Sequence, residues 1–478
     1  KIAAKFLKSP ISVESAIKMS DDDWLCAMRK YDRERCDRSS WTGGARELAQ
    51  LLKKFTVDNP LRFAGIAMRM SKDINPAYPS AILRGFEEAA ILPEQQQYIA
   101  NSIKYIIGLG LAECDRQIGW SLREILDDVP LDLVELVIDR IFAAIDPAEE
   151  RPNPKYRTCD RLDYDYLVHM GMNTSRGSLI ALLGDFLSRD DYGTRAAVVV
   201  PYLLKFAGES NLGVRSCVAD VISLCLSHDR DSAYKAFAEL IDCDDILFSS
   251  RTVQSLIVRI GSSNLEKVVP VIKRMLNSSV SEARVAGGSL AALAGLSWGY
   301  PQLLEDAFGG DVDIRTGIAI VCSDLVSEAK DSDLEFQTLC RLIDDDDDEV
   351  RKTASRFVGH LVGENISQFR ELLVLFIKSL GFEHSILQIF RILRNSLDED
   401  IELVIIAASR YLDVRRASIG RNALRDVNEA RDISTLVVRA LSRASGVDDI
   451  SKLLDILDRL VEYGAYGINE KIEGVRRV

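Results

Sequence analysis

An all-α fold, an α-solenoid of stacked antiparallel helix pairs, is predicted by three observations on this 478-residue chain. Apolar residues recur at intervals of three and four almost throughout, in segments of about 12 to 17 residues separated by short polar breaks. Proline is absent from 302 to 478, which is hard to reconcile with the turn-dense pattern of a sandwich or barrel. An arginine near the start of a helical segment recurs six times between 176 and 351, at intervals of 31 to 39 residues.

From the N-terminus, residues 1–150 read as an irregular helical subdomain with four turn-forming prolines between Pro60 and Pro93. Within it, Ser20 with Asp21, Asp22 and Asp23 offers an N-cap and an acidic first turn to a helix that carries Trp24, Leu25 and Met28. The helical stripe then fails. Residues 151–172 read as a long connecting loop that divides the chain, and its Arg151, Tyr156, Arg157, Arg161, Tyr164 and Tyr166 are candidate partner-binding residues. Tyrosine with arginine is the mixture that dominates interface energy once buried against another surface, although the same side chains could instead seal a junction. Residues 173–478 read as the repeat array, closed by an aromatic C-terminal cap around Tyr463 and Tyr466.

In the array each apolar stripe needs cover from neighbouring helices, and short connections make those neighbours the sequential ones. The recurring arginines are Arg176, Arg215, Arg251, Arg284, Arg315 and Arg351, and small residues occupy the next turn. This pattern resembles the second helix of HEAT repeats, a likeness that implies an aspartate–arginine ladder between successive repeats. Asp311 upstream of Arg315 and Asp345 upstream of Arg351 suit such pairing, whereas Arg176 and Arg251 lack an equally clear acid. A cationic phosphate-binding stripe is the rival use of the six arginines, and their acidic neighbours weigh against it.

Several phrases together point to a wider family: MSDDDWLCAMRKYD at 19–32, GGARELAQLLKKF at 43–55, GMNTSRGSLIALLGDFL at 171–187, DVDIRTGIAIVCSDL at 311–325 and LLDILDRLVEYGAYGINE at 453–470. They resemble the C-terminal helical region of bacterial STAND ATPases, including NACHT-type proteins of anti-phage defence. The resemblance implies a non-catalytic sensor and scaffold that binds a foreign macromolecule or partner protein and controls an ATPase domain upstream in the same polypeptide. The chain starts at Lys1, and no GxxxxGK[ST] loop occurs in it, so the nucleotide chemistry is not carried over. The alternatives are a free-standing HEAT-type scaffold and a HEAT-like nucleic-acid-binding protein.

Composition narrows these. Net charge is −13, which disfavours a phosphate backbone as ligand unless the basic groups gather on one face. Nine cysteines without a CxxC pair read as reduced thiols of a cytoplasmic protein, and no segment has the length and apolarity to span a membrane. No cofactor, metal or catalytic set is expected. The four histidines are isolated, and the acidic run 344–349 lacks the glycine of a Ca²⁺ loop and reads as a helix cap. The single GxSxG, at 295–299, follows a helical phrase where a nucleophile elbow needs a strand.

Overall fold

The computed structural model describes residues 7–33, 42–123, 129–144, 165–326, 333–361, 366–395, 400–415 and 424–462. Arg151, Tyr156, Arg157, Arg161, Tyr164 and the aromatic tail lie outside them. The described residues are helical apart from turns and an isolated bridge between Lys8 and Thr42. They form two compact units, Lys1–Arg259 and Ile260–Val478.

The first unit contains α1 (Val13–Ala16), α2 (Asp21–Lys30), α3 (Ala45–Asp58), α4 (Pro60–Ala67), α5 (Ala77–Glu88), α6 (Pro93–Leu109), α7 (Asp115–Leu122) and α8 (Leu131–Ala143). It continues with α9 (Tyr166–Met172), α10 (Ser175–Ser188), α11 (Thr194–Val199), α12 (Leu203–Ala207), α13 (Leu212–Cys225) and α14 (Arg230–Ile241), and its boundary falls within α15 (Arg251–Gly261). Helices of one layer pack on the next of their kind, so that α3, α5, α7, α10 and α13 make one layer and α4, α6, α8 and α11 the other. Sequential helices close the antiparallel pairs between layers, as α3 does with α4 and α13 with α14.

Local chemistry sets where these helices begin. The Asp23 amide donates to Ser20 Oγ at 3.2 Å and the Ser20 amide to the Asp23 carboxylate at 2.9 Å, a reciprocal cap at the start of α2. Trp24 is then fully buried, with ring centroids 5.6 Å from those of Phe55 and Phe63. Pro60 and Pro93, expected in turns, each occupy the first position of a helix. There its missing N–H would have no intrahelical partner in any case. The region read as irregular thus shares the layered pairing of the rest of its unit. The subdivision read at 151–172 falls inside the first unit, because α10 packs on both α7 and α8.

The second unit contains α16 (Leu265–Leu276), α17 (Ser281–Leu296), α18 (Pro301–Phe308), α19 (Val312–Leu325), α20 (Asp333–Leu342), α21 (Asp348–Ala354) and α22 (Phe357–His360). It ends with α23 (Arg370–Lys378), α24 (Ile386–Asn395), α25 (Ile401–Arg415), α26 (Leu424–Leu441) and α27 (Val447–Glu462). One layer runs through α17, α19 and α21, and α20, α23, α25 and α27 pack in succession as the other. Each unit is therefore an α-solenoid of stacked antiparallel helix pairs of HEAT-like type.

Helices α17 and α19 meet backbone against backbone. Gly288 lies against the Ile314 carbonyl and Gly317 against the Val285 carbonyl, with no room for a Cβ at either position. The Ser289 hydroxyl donates to the Gly317 carbonyl at 3.0 Å across the gap. Gly171 and Gly213 produce the same approach between α9 and α13. Gly317→Ala or Gly288→Ala should accordingly destabilise by about 1–3 kcal/mol, the usual range for forced overpacking. Gly108→Ala in α6, where a Cβ meets nothing, should leave stability unchanged or raise it by up to about 1 kcal/mol. Urea denaturation of the three variants checks the contrast, and equal midpoints would remove the glycine contact as a constraint.

Candidate functional site

Five of the six predicted arginines bind within the stack through their guanidinium groups. Arg284 pairs with Asp311 at 2.7 Å and with Asp313, and donates to the Ser278 carbonyl at 2.8 Å. Arg315 holds both oxygens of Asp345, at 2.7 and 3.2 Å, and reaches the Gly310 carbonyl at 2.7 Å. Arg176 donates to both oxygens of Glu209 at 2.9 Å and to the Ala144 carbonyl. Arg215 uses carbonyls alone, that of Glu209 at 2.8 Å and those of Glu239, Leu240 and Asp242 at the end of α14. Arg351 donates to the Asp345 and Asp346 carbonyls and pairs with Asp348 at 2.8 Å.

A rule links these contacts. One donor returns to a carbonyl five or six residues upstream, fixing the loop before the arginine's own helix: Glu209 for Arg215, Ser278 for Arg284, Gly310 for Arg315 and Asp345 for Arg351. The other donors of Arg176, Arg284 and Arg315 go forward to a carboxylate of the following repeat. The expected pairing of Asp311 with Arg315 and Asp345 with Arg351 is thus displaced by one repeat. Asp311 serves Arg284 while capping α19, and Asp345 serves Arg315 while its main chain receives Arg351. The Asp345 hydrogen bonds raise the affinity of Arg315 for its proton.

Arg251 departs from this arrangement. Its side chain is exposed, and its backbone N–H donates to Asp165 Oδ2 at 2.7 Å. Asp165 also accepts from the Ser250 hydroxyl at 2.8 Å and, through Oδ1, from the Val168 amide at 3.1 Å. One carboxylate therefore caps α9 and the start of α15. Among the candidate partner-binding residues only Tyr166, half-buried at the first position of α9, lies within the described structure, directly after this junction.

Sequence reasoning missed three arrangements. Arg140 holds both oxygens of the fully buried Asp115 at 2.5 and 2.9 Å. Arg195 reaches back to the Phe186 carbonyl at 3.0 Å and the Arg189 carbonyl, six residues upstream, at 3.4 Å. A cleft of about 600 Å³ opens between α3 and α5, lined by Gln50, Lys53, Lys54, Val57, Asp58, Arg84 and Glu88, with Lys53 and Glu88 paired at 2.5 Å. The adjacent lysines at the end of GGARELAQLLKKF were a visible signal, but without the fold nothing placed Arg84 opposite them.

The residues with chemical potential have structural neighbours. Within the acidic run, Asp344 accepts from the Leu380 amide at 2.8 Å, Asp347 caps α21, and Asp348 receives Arg351 and His384. The Arg351 hydrogen bond keeps the Asp348 carboxyl below its ordinary pKa. Burial pushes the thiols of Cys114, Cys217, Cys225 and Cys322 up to about 12. Ser297 of the GxSxG follows the last residue of α17, Gly299 has φ of 76°, and Pro301 starts α18, so the motif is a helix–turn–helix corner. Among the described residues no group of three or more His, Cys, Asp or Glu side chains is placed to hold a metal, and no helix is long and apolar enough to cross a membrane.

No protein-family model matches the chain, and no curated protein matches it. Among solved structures, a chain from the Pds5-Scc1 complex, studied for its implications for cohesin function, is similar at 14% identity over 95% of this chain and 73% of that one, with a TM-score of 0.35. An engineered protein from a structural genomics consortium is similar at 14% identity over 87% of this chain and 98% of that one, with a TM-score of 0.26. Neither likeness is close enough to carry an argument about function.

The ladder makes a stability prediction. Arg315→Ala and Asp345→Ala should each cost about 1–3 kcal/mol, and the double variant less than their sum, because both remove one charge-assisted contact. Lys352→Ala, which breaks a pair exposed on both sides with Glu349, should leave the urea midpoint unmoved. Additive losses at Arg315 and Asp345 would break the proposed link. The thiols give a second test. With pKa values near 12, only about one in ten thousand of the buried groups is thiolate at pH 8. Iodoacetamide on the native protein should modify the exposed Cys26 well before Cys114, Cys217, Cys225 or Cys322, as read by peptide mass mapping.

Proposed function

We propose that this chain is a non-catalytic binding arm, the sensor and scaffold region of a larger bacterial defence ATPase. It would capture a foreign macromolecule or a partner protein on the surface of the stack. The observation that carries the binding reading is the internal use of the recurring arginines. Five of the six groups that could have formed a phosphate-binding stripe instead bind carbonyls and carboxylates of the stack, leaving the helix layers as surfaces for recognition. The finer assignment rests on the phrases shared with STAND ATPases. In that reading the arm supplies differential affinity for two states of the ATPase and no bond chemistry, since a ligand shifts an equilibrium only by binding one state better. The segment 151–164 stands directly before the Asp165 junction, and its tyrosines and arginines are proposed as part of the recognition surface.

Replacing Tyr156, Arg157 and Tyr164 together with alanine should leave the melting curve of the chain unmoved and abolish ligand-dependent activation of the ATPase-bearing protein. A triple variant with normal activation would remove the segment from recognition, and one that melts early would assign it to sealing the junction. The 478-residue chain alone should show no ATP turnover, measured as phosphate release after rigorous purification.

A further inference from the structure

The cleft between α3 and α5 holds cationic groups that nothing among the described residues neutralises. Lys53 is held by Glu88, but Lys54 and Arg84 have no hydrogen-bond or ion-pair partner among the described residues. Arg84 is half-buried, and its Nε is shielded from water without an acceptor. A guanidinium donor in that condition is unfavourable until an anion or carbonyl reaches it, because desolvation has removed water and nothing has replaced it. Its position is set by the backbone. Gly85 presses against the side chain of Thr56, which brings α5 onto α3 and places the preceding residue at the cleft. Gln50 adds an exposed amide and Val57 an apolar patch.

We propose that this cleft seats an acidic peptide segment of a protein partner, with its carboxylates on Arg84 and Lys54 and a backbone carbonyl on the Gln50 amide. The inference deepens the binding-arm reading and rests on it. A peptide suits the site better than a nucleic acid for two reasons. Asp58 and Glu88 line the same cleft, so a uniformly charged backbone would lie against fixed carboxylates, whereas side-chain carboxylates are spaced and can avoid them. Apolar contact with Val57 is likewise available to a peptide that alternates acidic and aliphatic residues.

The test uses the 478-residue chain and a fluorescein-labelled octapeptide of alternating glutamate and leucine, followed by anisotropy. Binding should be measurable at low salt and weaken as salt rises. Arg84→Gln and Lys54→Glu should each weaken it by about tenfold or more at unchanged melting temperature, and Arg84→Lys should retain part of the affinity. Lys352→Glu, on the second unit, should leave it intact. Failure of the native chain to bind, or indifference to both cleft substitutions, would overturn the proposal. A labelled octathymidylate that binds as well as the peptide would also overturn it, and would mark the cleft as a nucleic-acid groove. The binding-arm reading fails separately, in the activation assay on the 156, 157 and 164 variant, which leaves the cleft untouched.

Discussion

The guanidinium that ties the loop before its own helix to an acid of the following repeat is the interaction on which the stack depends. A helix pair with one apolar stripe per helix can slide or rotate against its neighbour at modest cost, since hydrophobic contact is non-directional. Hydrogen bonds remove that freedom. Arg315 holds the Gly310 carbonyl behind it and the Asp345 carboxylate ahead of it, so the spacing between two inter-helix loops is set by one planar group with donors in fixed directions. Arg284 does the same one step earlier, through Ser278 and Asp311.

Glycine supplies the second constraint. Contact of Gly288 and Gly317 with opposing carbonyls lets α17 and α19 approach as backbones, which brings the loops at their ends within reach of arginine side chains. The two devices support each other. Without close approach the ladder would have to span a wider gap, and without the ladder the smooth glycine surfaces would offer no fixed register.

Much of this was readable before the fold was known. The helical periodicity, the reciprocal cap at Ser20 and Asp23, and the arginine recurrence each leave a local mark in the chain. What could not be read is the partner of each arginine, because an acid a few residues upstream and an acid a whole repeat downstream look equally suitable in one dimension. Arg251 shows the opposite failure. It keeps the position of a ladder member in the sequence, yet its site before α15 is organised by Asp165, a residue 86 positions away. Arg140 with Asp115 is separated by 25 positions, which matches no repeat interval. The cleft at Arg84 does join residues one repeat apart, as the 35 positions between Lys53 and Glu88 show, but no recurring arginine marks that part of the chain.

The double cap at Asp165 has a mechanical consequence. A carboxylate bound at once to the first turn of α9 and to the start of α15 makes the two helix ends depend on one side chain. Both N-termini favour its negative charge, so losing that charge would uncap α9 and α15 together. The carboxylate is in effect a clasp that makes two helices far apart in the sequence fray as one.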